Sequence, residues 1–177
     1  MTDTGFPLDN SAENGTTFTG DSAVEQGARE FLVELLMKMK VNGTVTTRWD
    51  EPADPGDEPS LVLNVQGDDL SELIGRRGET LAALQYITRV AVSRQSGELV
   101  NVVVDVEGYK ARREQQLRRL AQRMAEQAVA RGRTVVLEPM PPNERRLIHI
   151  ALRDYEGVTT ESVGDGDRRK VTIVPKK

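Results

Sequence analysis

Gly75-Arg76-Arg77-Gly78 sets two glycines around two adjacent guanidinium groups. Leu70, Leu73 and Ile74 lie just before it, and Leu81, Leu84 and Ile87 just after. Apolar residues at helical spacing on both sides predict two helices joined by a four-residue turn. Glycine serves such a turn because it tolerates positive φ and lets another backbone come close. The amides that open the second helix have no partner within it and carry the positive end of its dipole. They favour an anion, and the two arginines add full charges. The ligand that suits this chemistry is a phosphate backbone. Spacing alone is a weak signal, since most Gly-x-x-Gly turns only connect helices.

Arg145 and His149, with Arg153 beyond, form a second set. A spacing of four places successive members about 40° apart on a helix, so all three share one face. Leu147, Ile148, Ala151, Leu152 and Tyr155 occupy a largely separate apolar arc. Such a helix can pack and still offer its polar face to a ligand. Arginine pairs with phosphate, and histidine can donate to phosphate or brace the arginine. Arg146 is a further candidate by charge and position. The competing reading is a solvated charged face with an idle histidine, because exposed arginine is common.

The whole chain bounds these readings. It has 177 residues, enough for one ordinary domain or two small ones. With no cysteine, disulfides and thiolate metal sites are excluded. The single histidine argues against most histidine-dependent active sites and metal constellations, and neither a metal nor a cofactor is expected. The N-terminus lacks a basic-then-apolar pattern and no apolar run approaches bilayer length, so a cytoplasmic protein without membrane insertion is expected. The net charge of −4 hides an asymmetry. Residues 1–60 carry 12 acidic against 4 basic side chains, net −8, and residues 61–177 carry 16 against 20, net +4. From residue 110 to 153 there are 11 basic and 4 acidic side chains, net +7. That is the pattern of a polyanion-binding region joined to an acidic segment. Aromatic residues make up 4% of the chain, too few for binding by successive base stacking.

The elements that would position these residues can be read in order. Residues 1–21 are polar and acidic without apolar periodicity and read as a disordered tail. A helix is predicted over 22–40, capped by Ser22 with Glu25 in a capping box. Strands follow at 45–49 and 60–65 around a Pro-rich loop at 51–59. A short helix at 68–74 leads to the glycine turn, a helix over 79–94 follows it, and a third strand covers 99–106. A long helix at 109–131 ends at Gly132. A strand at 134–138, a helix from Asn143 to about residue 155, and a hairpin of strands 158–163 and 168–174 complete the chain.

In this context the glycine turn resembles the signature of the KH domain: an apolar residue, Gly-x-x-Gly, then an apolar residue three positions on. The α-β-β-α-α-β order over residues 22–107 is similar to the type II KH topology. The resemblance implies that Gly75, Arg76, Arg77 and Gly78 clamp a nucleic-acid backbone, with bases along an aliphatic groove bordered by Ile74 and Leu81. Glu79 departs from this picture by placing a carboxylate beside the phosphate path. Asn143-Glu144-Arg145-Arg146-Leu147-Ile148-His149 resembles the signature of the Arg-x-x-x-His domain, which binds single-stranded nucleic acid. Residues 108–177 match its α-β-α-β-β layout. A KH domain followed by an Arg-x-x-x-His domain looks like the bacterial Jag family, also called SpoIIIJ-associated proteins. Many members carry an additional N-terminal domain where this chain has acidic residues. The resemblance implies an α+β protein that binds RNA, with single-stranded DNA not distinguished from it. It also implies partnership with a smaller KH protein and a role in post-transcriptional regulation linked to cell elongation or division.

The leading expectation is therefore a non-enzymatic RNA-binding protein whose sites at residues 75–78 and around 145 grip one strand. Two other readings stand beside it. One is an adaptor that binds proteins through its helices or acidic tail. The other, less favoured, is a nuclease using His149, which would need an acid–base partner that no motif supplies.

Overall fold

The computed structural model describes residues 21–52 and 56–176. The expected tail, apart from Asp21, and residues 53–55 of the expected loop lie outside the described residues.

Helix α1 (Ser22–Lys38) starts from Asp21, whose carboxylate accepts from the Ala23 amide at 2.8 Å. The cap is thus one residue earlier than the sequence suggested. Asp21 has the extended backbone a cap requires, and Glu25 is not part of a box. Its carboxylate accepts from Thr47 Oγ1 at 2.6 Å, tying the helix to the first strand.

Strands β1 (Thr44–Asp50), β2 (Ser60–Gln66) and β3 (Asn101–Val106) form a sheet in that spatial order. β1 and β2 are antiparallel, with Thr47 opposite Leu63, and β2 and β3 are parallel, with Leu63 opposite Val104. A parallel pair needs a crossover. Here it is α2 (Ser71–Ile74), a 3-10 turn (Arg76–Gly78) and α3 (Glu79–Ser96). Leu61, Leu63, Val65, Val102, Val104 and Val106 alternate onto one face of the sheet. Leu32 and Leu36 of α1 and Leu81, Leu84 and Val92 of α3 cover that face. The element order is α-β-β-α-α-β, as expected. Two starts are later than predicted. α2 begins at Ser71 because Asp69, at φ 49°, breaks helical geometry. β3 begins at Asn101, leaving Leu99 91% exposed.

Helix α4 (Tyr109–Arg131) follows β3 almost directly and ends at Gly132, whose φ of 58° lets its amide reach the Ala128 and Val129 carbonyls. β4 (Val135–Val136), α5 (Pro142–Ala151), β5 (Val158–Val163) and β6 (Lys170–Pro175) complete an α-β-α-β-β unit. The second sheet runs β4-β6-β5, all antiparallel. Leu117, Ala121 and Ala128 of α4 meet Ile148 and Leu152 of the α5 segment over Val158, Val171 and Ile173. The molecule is α+β with two separate cores.

Two expectations over this unit are corrected. The strand at 134–138 shrinks to two residues because Pro139 has no amide to continue a ladder. Even so, Leu137 donates to the Val171 carbonyl at 2.9 Å and Met140 to that of Arg169 at 3.2 Å, which keeps this segment on the edge of β6. The last helix stops at Ala151 rather than 155, since Leu152 turns to φ −110° and Arg153 donates to Ile150 in a tighter turn. Among the described residues no helix is long and apolar enough to cross a membrane.

One ion pair ties α4 to α5. Arg113 donates to Glu144 through Nε at 2.7 Å and Nη2 at 2.9 Å, and Glu144 is 4% exposed. Removing Arg113 strands the buried Glu144 charge away from water. Arg113→Ala is expected to cost about 2 kcal/mol and lower the melting midpoint by roughly 4–8 °C, read by circular dichroism. A change under one degree would show that the pair does not hold α5 in place.

Candidate nucleic-acid interface

The glycine turn requires glycine for steric reasons. Gly75 sits at φ 67° and ψ −172°, and a Cβ there would fall 2.1 Å from Thr80 Oγ1 and 3.0 Å from the Thr80 amide nitrogen. Gly78 takes φ 81°, and a Cβ there would press to 3.1 Å from the Tyr109 ring. Gly78 has no side chain to cap α3, so its first-turn amides are left without a side-chain cap. Glu79, exposed, stands beside them.

The two tip arginines differ. Arg76 is exposed, and among the described residues it makes no hydrogen bond or ion pair. Arg77 is held at φ 54°, a left-handed backbone that costs an ordinary residue about 1–2 kcal/mol. Its side chain reaches the second unit. Nη1 donates to the Pro139 carbonyl and Nη2 to the Glu138 carboxylate. Ile74 is half-buried at the margin of the first core. Leu81 is 3% exposed and belongs to that core. It forms part of the floor of a cleft of about 340 Å³ between the glycine turn and helices α4 and α5. Tyr109, Arg113 and Leu147 form other walls.

On α5 the structure brings Arg145 and His149 together. Arg145 Nε donates to the Met140 carbonyl at 3.3 Å, and Nη1 to Ser162 Oγ at 3.4 Å. Both nitrogens of His149 face hydroxyls of β5: Nδ1 pairs with Thr160 Oγ1 at 2.7 Å, and Nε2 with Ser162 Oγ at 2.8 Å. Ser162 thus links the histidine to the arginine. Burial pushes the His149 pKa below its ordinary value, and the Arg145 charge adds to that effect. The ring is therefore neutral at pH 7, with one nitrogen donating and the other accepting. Arg146 is exposed on the adjoining surface. Arg153 lies beyond the last helical residue, so the shared face predicted from a spacing of four does not extend to it. Among the described residues no three acidic or imidazole side chains form a group that could hold a metal ion.

Glu138, Pro139, Met140, Thr160 and Ser162 were not singled out from the sequence. A signal exists for the last two. Residues two apart on a strand share a face, so Thr160 and Ser162 had to line up. Which face meets α5 is a tertiary fact.

The two arginines meet one short segment. The carbonyl that holds Arg77 and the carbonyl that holds Arg145 belong to consecutive residues, Pro139 and Met140. Both side chains therefore reach the same two-residue stretch of backbone.

Comparison with known proteins finds two domains in this order. A KH domain model of the KhpA/KhpB type matches residues 29–106, and a model of the Arg-x-x-x-His domain matches residues 115–175. The RNA-binding protein KhpB of Clostridium symbiosum is 36% identical over 154 residues, covering 87% of this chain and 67% of that protein. The RNA-binding protein KhpB of Bacillus subtilis is 38% identical over 120 residues, covering 67% of this chain and 58% of the relative. The protein of the same name from Lactiplantibacillus plantarum is 42% identical over 105 residues, covering 59% of this chain and 33% of the relative. The chain thus spans from 33% to 67% of these relatives' lengths. With both domain signatures in order, each on its expected scaffold, the chain belongs to the KhpB proteins of the Jag family.

Proposed function

We propose that this chain binds single-stranded RNA along one cationic track and does not turn it over. The domains over 22–107 and 108–177 would act as one surface, joined at Glu107-Gly108. Arg76 and the N-terminal end of α3, which no side chain caps, supply one end of the track, Arg77 its middle, and Arg145 with Arg146 the other end. The observation that carries this reading is the pair of consecutive carbonyls that hold Arg77 and Arg145. Two cations so close to each other can meet neighbouring phosphates of one strand. His149 acts as a positioning residue, its ring braced between Thr160 and Ser162 and linked through Ser162 to Arg145. Both ring nitrogens are engaged by hydroxyls and none by a carboxylate, which supports binding over acid–base catalysis. The relatives carry the name RNA-binding protein, which supports RNA as the strand.

A second reading has its own observation. Tyr86, Ile87 and Val90 on α3 are 60%, 48% and 37% exposed, and Leu99 is 91% exposed. An apolar patch of this kind suits association with another KH domain, such as that of a smaller KH protein. If it serves as such a surface, Val90→Asp abolishes an RNase-resistant complex with that partner while leaving RNA affinity unchanged.

Fluorescence anisotropy with a labelled single-stranded 12-mer tests the track. Gly75→Asp places an anion in the turn, and Arg145→Ala removes the other cation. Each is expected to weaken binding about tenfold or more. With about five phosphates neutralised, log K should fall against log[salt] with a slope near −3.5. A flat salt response, or full affinity in both variants, contradicts the track.

The histidine makes a pH prediction. Its folded pKa lies below the unfolded value, so the unfolded chain binds the extra proton first. The stability this group contributes is present above about pH 6.5 and is lost as pH falls from there through the folded value. His149→Gln should flatten that part of the stability–pH curve, measured by urea unfolding between about pH 5 and 8. An unchanged slope in the variant would assign the pH dependence to another group.

A further inference from the structure

Among the described residues, Glu138 is the acidic side chain through which the second unit reaches the glycine turn. Its carboxylate accepts from Arg77 Nη2, while Nη1 of the same guanidinium is anchored on the Pro139 carbonyl. The two bonds differ in kind. The carbonyl is backbone and cannot leave without moving the segment that also holds Arg145. The carboxylate is on a flexible side chain that is 82% exposed, while the Arg77 side chain is 24% exposed. An ion pair with one partner in water is worth little, since solvent and salt compete for both charges. A phosphodiester oxygen carries the same charge as a carboxylate oxygen and accepts from a guanidinium in the same way.

We propose that Glu138 is an affinity-setting residue: in the free protein its carboxylate occupies the place on Arg77 that a backbone phosphate takes in the complex. Resting on the RNA reading above, this assigns to that site a built-in competitor. Arg77 keeps its Pro139 bond throughout, so it enters the complex already aimed and only one of its partners is exchanged. The exchange conserves charge at the guanidinium. It releases Glu138 to solvent, so the Arg77–phosphate attraction is offset by the lost Arg77–Glu138 pair, which lowers affinity relative to a chain without this carboxylate. Arg76, which has no such partner among the described residues, offers its full charge from the start.

The test is a double-mutant cycle on the full chain, using the labelled single-stranded 12-mer and anisotropy at two salt concentrations. Glu138→Gln keeps the side-chain shape and removes the charge. It should tighten binding about threefold, the range an exposed ion pair supports. In an Arg77→Ala background the same substitution should change affinity by well under twofold, because no guanidinium remains to be contested. Circular dichroism confirms that each variant is folded. Glu138→Gln that weakens binding or leaves it unchanged overturns the proposal and makes the carboxylate a strut. Equal tightening with and without Arg77 also overturns it, since that is general charge repulsion. If the wild-type chain binds no strand, the RNA reading falls together with this one. If the wild type binds and only the Glu138→Gln prediction fails, the RNA reading stands alone.

Discussion

The functional arrangement rests on a short stretch of irregular backbone. Pro139 interrupts what would otherwise be a longer edge strand, and its carbonyl is left to accept from a side chain instead of a ladder partner. Met140 does the same for Arg145 while its amide returns to β6 through Arg169. The segment is thus fixed to the second sheet through its amides and offers its Pro139 and Met140 carbonyls to side chains. An arginine from each unit fills them. The Glu107-Gly108 connection, the packing of Tyr109 on the first core and the Lys110–Gln85 bond also join the two units, but none of them holds an arginine of the glycine turn. Through Pro139 and Met140, Arg77 and Arg145 are anchored on adjacent residues of one segment. Coupling two modest sites in this way raises effective concentration without any new contact to the ligand.

Around that segment the polar groups form a supporting shell. Glu144, buried at the start of α5, holds the helix against α4 through two bonds to Arg113. The next residue, Arg145, then has little freedom in where it projects. Ser162 gathers Arg145 and His149 from the strand side. Desolvation keeps the His149 ring neutral, which has a structural use. A neutral imidazole can accept at one nitrogen and donate at the other, and hydroxyls can complement either role. A protonated ring would place a second charge beside Arg145. The arginine–histidine signature therefore reads as one cation and one neutral brace, not as two cations.

Much of this was legible in the sequence, and what was not has a common cause. The glycine turn could be read because its requirement is local: Gly75 and Gly78 hold backbone angles that other residues resist. The long helix at 109–131 and its glycine stop matched because capping and periodicity are local as well. Arg145 and His149 fell on one face because both lie inside α5, whereas Arg153 fell outside it because the pull of Leu152 into the core ended the helix early. Asp21 displaced Ser22 as the cap within the latitude of one residue that helix ends show. Leu81, assigned to a groove from its position after Gly-x-x-Gly, packs in the core and also floors the cleft beside the turn. The roles of Glu138, Pro139, Met140, Thr160 and Ser162 depend on which segments meet in three dimensions. No spacing rule relates residue 77 to residues 138 and 139.

Charge shows the same split between local and global. A chain of net −4 would be expected to repel a polyanion, and its first 60 residues, at net −8, account for that average. At physiological ionic strength, however, exposed charges more than about 8 Å apart are largely screened from each other. On the reading proposed above, a bound strand would respond to the charges near it and not to the average of the chain, and residues 110–153 are net +7. What remains negative close to the track is specific. Glu79 sits at the start of α3, where it stabilises the helix dipole and opposes a phosphate at the same spot. Glu138 neutralises one arginine of the turn. On the proposed reading each carboxylate weakens the complex, so both would act in the direction of a reversible grip. A cationic track without them would hold any polyanion more tightly and part from it more slowly, because affinity differences of this kind appear mainly in the rate of release.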